Sequence, residues 1–239
     1  MSIKSAYVSA ARAARSGLSA AGVLPAFDRW SAHSRTGTWA RSLLSIYDVE
    51  ELAALDVPWW TFDSAGLIDA FLAGRRGACV FEWGSGASTV WLARRSERVV
   101  TVEHDVAWAD VVRGLLPAGH AVDLQTVPAA PAVGSPGDVL SAKAGSEGLD
   151  FSAYVAAIDE RGEFDLIVID GRAREACLAS ALPHLARDGM IVVDNVERRR
   201  YRDAIAAAAE VADLDVIWTR GLTPGLPYPT RTALLRRSR

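Results

Sequence analysis

The sequence predicts an α/β domain built on a doubly wound, mostly parallel sheet with an antiparallel last strand, preceded by N-terminal helices. Three observations carry this prediction. From Ala78 onward, short apolar runs alternate with helix-length segments, the rhythm of parallel strands covered on both faces. The run Ala78 to Phe81 ends in Glu82 and passes at once into Trp83-Gly84-Ser85-Gly86-Ala87-Ser88-Thr89. That is a strand, a bend whose glycines let the backbone approach a ligand, and a helix start. The last two apolar runs, Val216 to Thr219 and Thr232 to Leu235, are joined by Gly221 to Pro229, which has the turn chemistry of a hairpin.

Taken in order, residues 1–57 read as a helical extension and 58–239 as the main domain. In the extension Trp39, Leu43, Leu44 and Tyr47 recur at helical spacing. Pro58 breaks the chain, and Trp59, Trp60, Phe62, Leu67, Ile68, Phe71 and Leu72 form an apolar stripe leading into the first strand. The Trp pair reads either as core or as an aromatic wall beside a substrate. Strand 78–82 precedes a helix near 86–96, strand 98–103, a helix near 105–116 opened by Asp105 as cap, and a strand near 121–127. Residues 128–150 break the rhythm with Pro128, Pro131, Pro136 and four glycines, and read as a mobile flap over the site. Phe151, Tyr154 and Ile158 then share a helical face. Strand 165–170, a helix near 173–186, strand 190–194 introduced by Gly189, and a helix over 197–210 complete the alternation.

The chain has 239 residues, half of them apolar, enough for one sizeable core. A net charge of -3 argues against a nucleic-acid partner. Arginine dominates the basic residues, since Lys4 and Lys143 are the two lysines. The blocks Arg198-Arg199-Arg200 and Arg236-Arg237 read as a solvated face and a tail. Cys79 and Cys177 are too few for a disulfide framework or a zinc site. No apolar run approaches a membrane span. The N-terminal Lys4, Arg12 and Arg15 superficially suggest a transit peptide but read better as a loosely held helix, so the expected location is cytoplasmic.

Glu103 closes the second apolar run, at the tip of the next parallel strand, where nucleotide-type folds grip ribose hydroxyls. A dinucleotide fold would place a third glycine where this chain has Thr89. A carboxylate just ahead of the bend also suits a cationic ligand better than a diphosphate. At Glu82-Trp83-Gly84-Ser85-Gly86 and Thr101-Val102-Glu103-His104-Asp105 the chain resembles the class I S-adenosylmethionine-dependent methyltransferases, over about Ala78 to Arg236. The resemblance implies a Rossmann-like sheet and S-adenosylmethionine as cofactor. It implies that Gly84, Ser85 and Gly86 line the methionine portion, Glu82 faces its amino end and Glu103 binds the ribose. Trp83, Ser88, His104 and Asp170 join the expected cofactor-binding set. His104 is a candidate general base, with an exposed loop residue as the plainer reading. Trp108 reads as helix packing or as a neighbour of the adenine.

Asp170 and the pair Asp194-Asn195 close two further strands at the carboxyl edge, where open α/β sheets bind ligands. N-capping of the following helix competes for Asp194-Asn195. Phe164 to Gly171 and Met190 to Val196 resemble the metal-dependent catechol and caffeoyl-CoA O-methyltransferases. That resemblance implies Asp170, Asp194 and Asn195 as catalytic residues and as ligands of Mg2+. Those enzymes carry a lysine base where this chain has Ala173. The flanking Arg172 and Arg174 stay protonated and are expected to hold an anionic substrate. The expected activity is methyl transfer to a hydroxyl of a small molecule, with a homo-oligomer left open. A non-catalytic donor-binding protein and a nicotinamide-dependent oxidoreductase are the alternatives. The latter lacks both the third glycine and any Tyr-x-x-x-Lys.

Overall fold

The computed structural model describes residues 13, 15–45 and 48–237; Lys4, Arg12 and Tyr47 of the sequence reading lie outside them. Helices α1 (Leu24–Ser31), α2 (Arg35–Ser42), α3 (Val49–Ala54) and α4 (Phe62–Ala73) come first. Ser34, Asp48 and Thr61 cap the last three, each accepting a backbone N–H of the first turn, because their short oxygens reach donors that have no partner inside the helix. Then follow β1 (Cys79–Trp83), α5 (Ala87–Ala93), β2 (Arg98–Glu103), α6 (Val106–Arg113) and β3 (Ala121–Thr126). After these come β4 (Ala130–Pro131), β5 (Leu149–Asp150), α7 (Ser152–Val155), β6 (Phe164–Ile169), α8 (Arg174–Ala181) and β7 (Leu185–Asp194). Helix α9 (Arg199–Ala212), β8 (Leu214–Gly221) and β9 (Thr230–Arg237) end the described chain.

The main sheet has seven strands in the order β3-β2-β1-β6-β7-β9-β8. All neighbours are parallel except β9, which runs antiparallel to both β7 and β8. The expected sheet, including the final hairpin, is therefore the one formed. Side-chain alternation divides its core into two layers. Phe81, Trp83, Val100, Val102, Ile167, Ile169 and Ile191 face one way, against Phe151, Tyr154, Ile158 and Cys177. Val80, Val99, Leu166, Val168 and Val192 face the other, against Trp60, Ile68, Leu72, Trp91 and Leu92.

Several boundaries differ from the sequence reading. Strand β7 begins at Leu185 rather than after Gly189, with a register shift against Phe164 and Leu166. Gly189 sits inside that irregularity because a Cβ there would lie 2.6 Å from Leu185 and 3.0 Å from a backbone oxygen. Helix α8 stops at Ala181 because Pro183 turns the chain into a 3-10 segment. The 128–150 segment is not structureless: β4 pairs with β5, Leu140 bridges to Asp150, and Asp150 accepts the Val139 N–H at 2.7 Å. Arg236 and Arg237 belong to β9 rather than a tail, and Arg236 lies over the Phe71 ring. The N-terminal helices lean on the β8–β9 connection, where Trp39 donates to the Leu226 carbonyl at 2.9 Å and Ser42 accepts the Gly225 N–H at 2.8 Å.

The β1–α5 joint depends on two residues. Gly84 has φ +96, and a Cβ there would lie 2.7 and 2.8 Å from the backbone of Gly171. Two bends thus pass closer than any side chain permits. Glu82 is fully buried and accepts the Ser88 and Thr89 hydroxyls, each at 2.6 Å, tying the strand to the first turn of α5. Burial pushes its carboxyl up to about 7, against the pull of those donors.

Two outcomes follow for stability. Gly84→Ala is expected to cost about 2–3 kcal/mol, read as a drop in Tm of roughly 5–10 °C; an unchanged melt refutes the close approach. Glu82 binds its proton more tightly when folded, so its contribution is complete below about pH 4.5 and is lost as pH rises through about 7. Denaturant titrations across that window are expected to show wild-type stability falling by up to about 3 kcal/mol from this group, and Glu82→Gln to flatten the fall. Parallel profiles for the two proteins would remove Glu82 as the cause.

Candidate functional site

The register of the sheet builds the site. Glu82 pairs with Thr101 and Val168, and Val168 pairs with Val192. Two residues further on, the next row reads Glu103, Gly84, Asp170, Asp194 across β2, β1, β6 and β7, with neighbours about 4.8 Å apart. This row is the carboxyl edge, and a cleft of about 680 Å³ opens above it. Its walls include Gly84, Ser85, Gly86, Glu103, His104, Trp108, Asp170, Arg172, Arg174, Asp194 and Asn195.

Glu82 and Trp83, expected in the cofactor set, do not line the cleft. Glu82 has the right parity but lies one row deeper, so its oxygens meet the Ser88 and Thr89 hydroxyls of α5. Trp83 has the opposite parity and donates its indole N–H to the Tyr154 carbonyl at 2.9 Å, inside the core. Ser88 lines the cleft but spends its hydroxyl on Glu82.

Glu103 stands at the cleft edge. Its Oε2 accepts the Ser85 N–H at 2.9 Å and the Ser85 hydroxyl at 3.1 Å, while Oε1 accepts the N–H groups of His104 and Asp105 at 2.8 and 2.9 Å. Burial alone would raise this carboxyl, but His104 and those N–H groups outweigh it and hold Glu103 below the usual range. It is therefore a fixed anion beside the Gly84–Gly86 bend. The His104 Nδ1 lies 2.6 Å from Glu103 Oε1, an ion-pair contact without hydrogen-bond geometry. Asp105 caps α6 by accepting the Trp108 N–H at 3.0 Å, and Trp108 donates its indole N–H to the Ser85 carbonyl at 2.8 Å. Trp108 thus both packs and lines the cleft.

The Trp pair divides its two readings. Trp60 is fully buried and donates to Asp170 Oδ2 at 3.2 Å, whereas Trp59 lines the cleft. At the β6 and β7 ends, Arg174 is 8% exposed and lines the cleft, with most of its donors turned to the protein's own oxygens. Its Nη2 donates to Asp170 Oδ1 at 2.9 Å, the Asp170 carbonyl at 2.8 Å and Asn195 Oδ1 at 3.0 Å. Its Nη1 donates to the Asp194 carbonyl and its Nε to the Gly171 carbonyl at 3.2 Å. Asp194 accepts the Thr232 hydroxyl at 2.5 Å and the Asn195 side-chain N–H at 2.6 Å. Burial pushes Asp170 up against the pull of Arg174, and burial with the charge of Asp170 pushes Asp194 well up. Neither Asp194 nor Asn195 caps a helix; Arg198 occupies the N-cap of α9, and Asn195 turns the chain with φ 53.

The expected magnesium site does not fit this arrangement. The side-chain oxygens of Asp170, Asp194 and Asn195 are already committed to Arg174, Thr232 and Asn195 donors. No cluster of three or more His, Cys, Asp or Glu with metal-binding geometry occurs among the described residues. Lys143, Tyr201 and Tyr228 also line the cleft and were not given a site role from sequence, and Arg198, read there as part of a solvated face, lines it too. Lys143 had a signal, as one of two lysines in an arginine-rich chain.

No helix among the described residues is long and apolar enough to cross a membrane. No protein-family model and no curated protein matches the chain. Solved structures do. A putative O-methyltransferase from Klebsiella pneumoniae matches with a TM-score of 0.56 and 18% identity, over 89% of this chain and 99% of that one. Cofactor-bound Rv0187 from MTB matches at 0.51 and 22%, over 82% and 88%. Magnesium protoporphyrin IX methyltransferase from Synechocystis PCC 6803, with S-adenosylmethionine bound, matches at 0.51 and 12%, over 82% and 84%. At these identities the likeness is one of architecture: the chain has the fold of the class I S-adenosylmethionine-dependent methyltransferases.

Proposed function

We propose that this protein transfers a methyl group from S-adenosylmethionine to an oxygen of a small anionic molecule. One observation carries the reading: the Gly84–Gly86 bend, the ionised Glu103 and the Asp170 tip converge on a single cleft. The domain from 58 to 239 holds the donor, Trp39 and Ser42 of the 1–57 extension brace the β8–β9 connection, and the 128–150 flap covers the cleft through Ser141 and Lys143.

When bound, the donor supplies an electrophilic methyl on a sulfonium. Glu103 accepts the ribose hydroxyls, exchanging the Ser85 hydroxyl for them. The glycine bend lets the backbone meet the methionine portion, and Trp108 flanks the adenine side. Asp170 presents a carboxylate oxygen toward the cationic centre. Of the three arginines that line the cleft after β6 and β7, Arg172 and Arg198 attract an anionic acceptor. His104 Nε2 is the base for the acceptor proton. In-line displacement then needs mainly alignment and a deprotonated nucleophile.

Calorimetry with S-adenosylmethionine and with NAD tests the donor reading; affinity for NAD alone sinks it. Glu103→Gln is expected to weaken donor binding about 10–100-fold, the value of hydrogen bonds to a charged group, in a protein that still unfolds cooperatively. Arg172→Ala is expected to raise the acceptor KM about tenfold or more while donor affinity holds. Turnover against carboxylate, phenol and phosphate-bearing hydroxyl acceptors measures this, and an unaltered KM removes Arg172 from the acceptor site.

A further inference from the structure

We propose that Arg174 is the resident cation of this site, filling with its guanidinium the position between β6 and β7 that a divalent metal would otherwise take. The inference rests on the methyl-transfer reading for its catalytic meaning, but its geometry stands alone.

Five oxygens surround one guanidinium: the carbonyls of Asp170, Gly171 and Asp194, Oδ1 of Asp170 and Oδ1 of Asn195. A hard divalent cation wants such a set, carboxylate, amide and carbonyl oxygens converging from two strand ends. Here the set is satisfied by a charge carried on the first residue of α8, four positions after Asp170. The Tyr201 ring lies 5.9 Å from the guanidinium carbon and closes another side. A metal and this side chain cannot share the space, since the Asp170 and Asn195 oxygens that would ligate the metal each point at Nη2. Displacing Arg174 would bury a second cation beside the first, at a cost that grows as the local dielectric falls.

The consequence is functional. Arginine cannot accept a proton and does not acidify a hydroxyl as a metal does, so Arg174 positions and neutralises without activating. Among the described residues Nη1 has the Asp194 carbonyl as its acceptor, and its second N–H remains to orient a substrate oxygen in the cleft that Arg174 lines.

The test titrates the whole protein with Mn2+ in the absence of donor, followed by calorimetry and by melting. Wild type is expected to show no saturable site that depends on Asp170 and no change in Tm. Arg174→Ala is expected to acquire a site, with Tm rising roughly 5–10 °C at about hundredfold metal over its Kd. A saturable wild-type site lost in Asp170→Asn overturns the proposal, as does a folded Arg174→Ala that binds no metal. Should Arg174→Ala fail to fold, the wild-type titration decides alone: a site lost in Asp170→Asn overturns the proposal, and its absence supports it. Donor calorimetry on the same wild-type sample reads the methyl-donor assignment separately, so failure of either is distinguishable from failure of the other.

Discussion

Four carboxylates, the buried Glu82, Glu103 and Asp194 and the partly buried Asp170, lie on one side of one sheet, and the architecture of the cleft follows from how each is compensated. All four share side-chain parity with Val80, Val99, Leu166 and Val192, so they point toward the layer that holds Trp60 and Trp91. Asp170 and Asp194 close adjacent strands about 4.8 Å apart, where like charges without partners would repel strongly. Each is answered differently. Glu82 receives two hydroxyls from α5, Glu103 receives backbone N–H groups and His104, Asp170 receives Arg174 and Trp60, and Asp194 receives Thr232 and Asn195. Only Glu103 is held below its ordinary range; Glu82, Asp170 and Asp194 are pushed above theirs. The cleft therefore has one strong fixed anion at the β2 end and a locally neutralised pair at the β6–β7 end. That polarity matches a donor whose ribose sits over β2 and an acceptor that meets arginines beyond β6.

The fold was legible because its determinants are local. Parallel strands buried on both faces announce themselves as apolar runs such as Leu166 to Ile169, and the Gly221–Pro229 turn marks the final hairpin. The row of strand ends was legible too, since each acid ends its run. Depth was harder to read. Glu82 and Glu103 both close apolar runs, yet Glu82 pairs with Thr101 inside the sheet while Glu103 stands two residues further along β2. A single strand's sequence carries parity but not register, because register is set by the neighbouring strand. The same reason hid Trp60, whose indole reaches Asp170 from a segment 110 positions away.

Arg174 was the largest departure, and its cause is a backbone detail. Ala173 adopts φ 49 and opens α8 from a left-handed turn. That turn swings the first helical side chain back over the β6 end, where Arg172 and Arg174 part company. From sequence the two arginines look equivalent, one on each side of Ala173; in three dimensions both line the cleft, but Arg174 alone is committed between two strand ends. No pattern of spacing distinguishes them, since the distinction lies in a single φ angle.

A cation supplied by the chain differs from one supplied by solution in more than availability. A bound metal lowers the pKa of a ligated hydroxyl and so lets a weakly acidic acceptor react near neutral pH. A guanidinium with five protein oxygens around it has little field left to do so, because Asp170 offsets its charge at 2.9 Å. The nucleophile must then lose its proton elsewhere, and two routes remain. His104 Nε2 can accept it, with the imidazolium stabilised by Glu103 at 2.6 Å. Or the acceptor arrives already ionised, as a carboxylate or an acidic phenol does, which is what a rim of Arg172 and Arg198 would select. The two routes differ in whether turnover depends on His104 or on the acidity of the acceptor alone. The absence of lysine at position 173 is consistent with either, since a fixed cation already stands beside that position and would depress the affinity of a neighbouring amine for its proton.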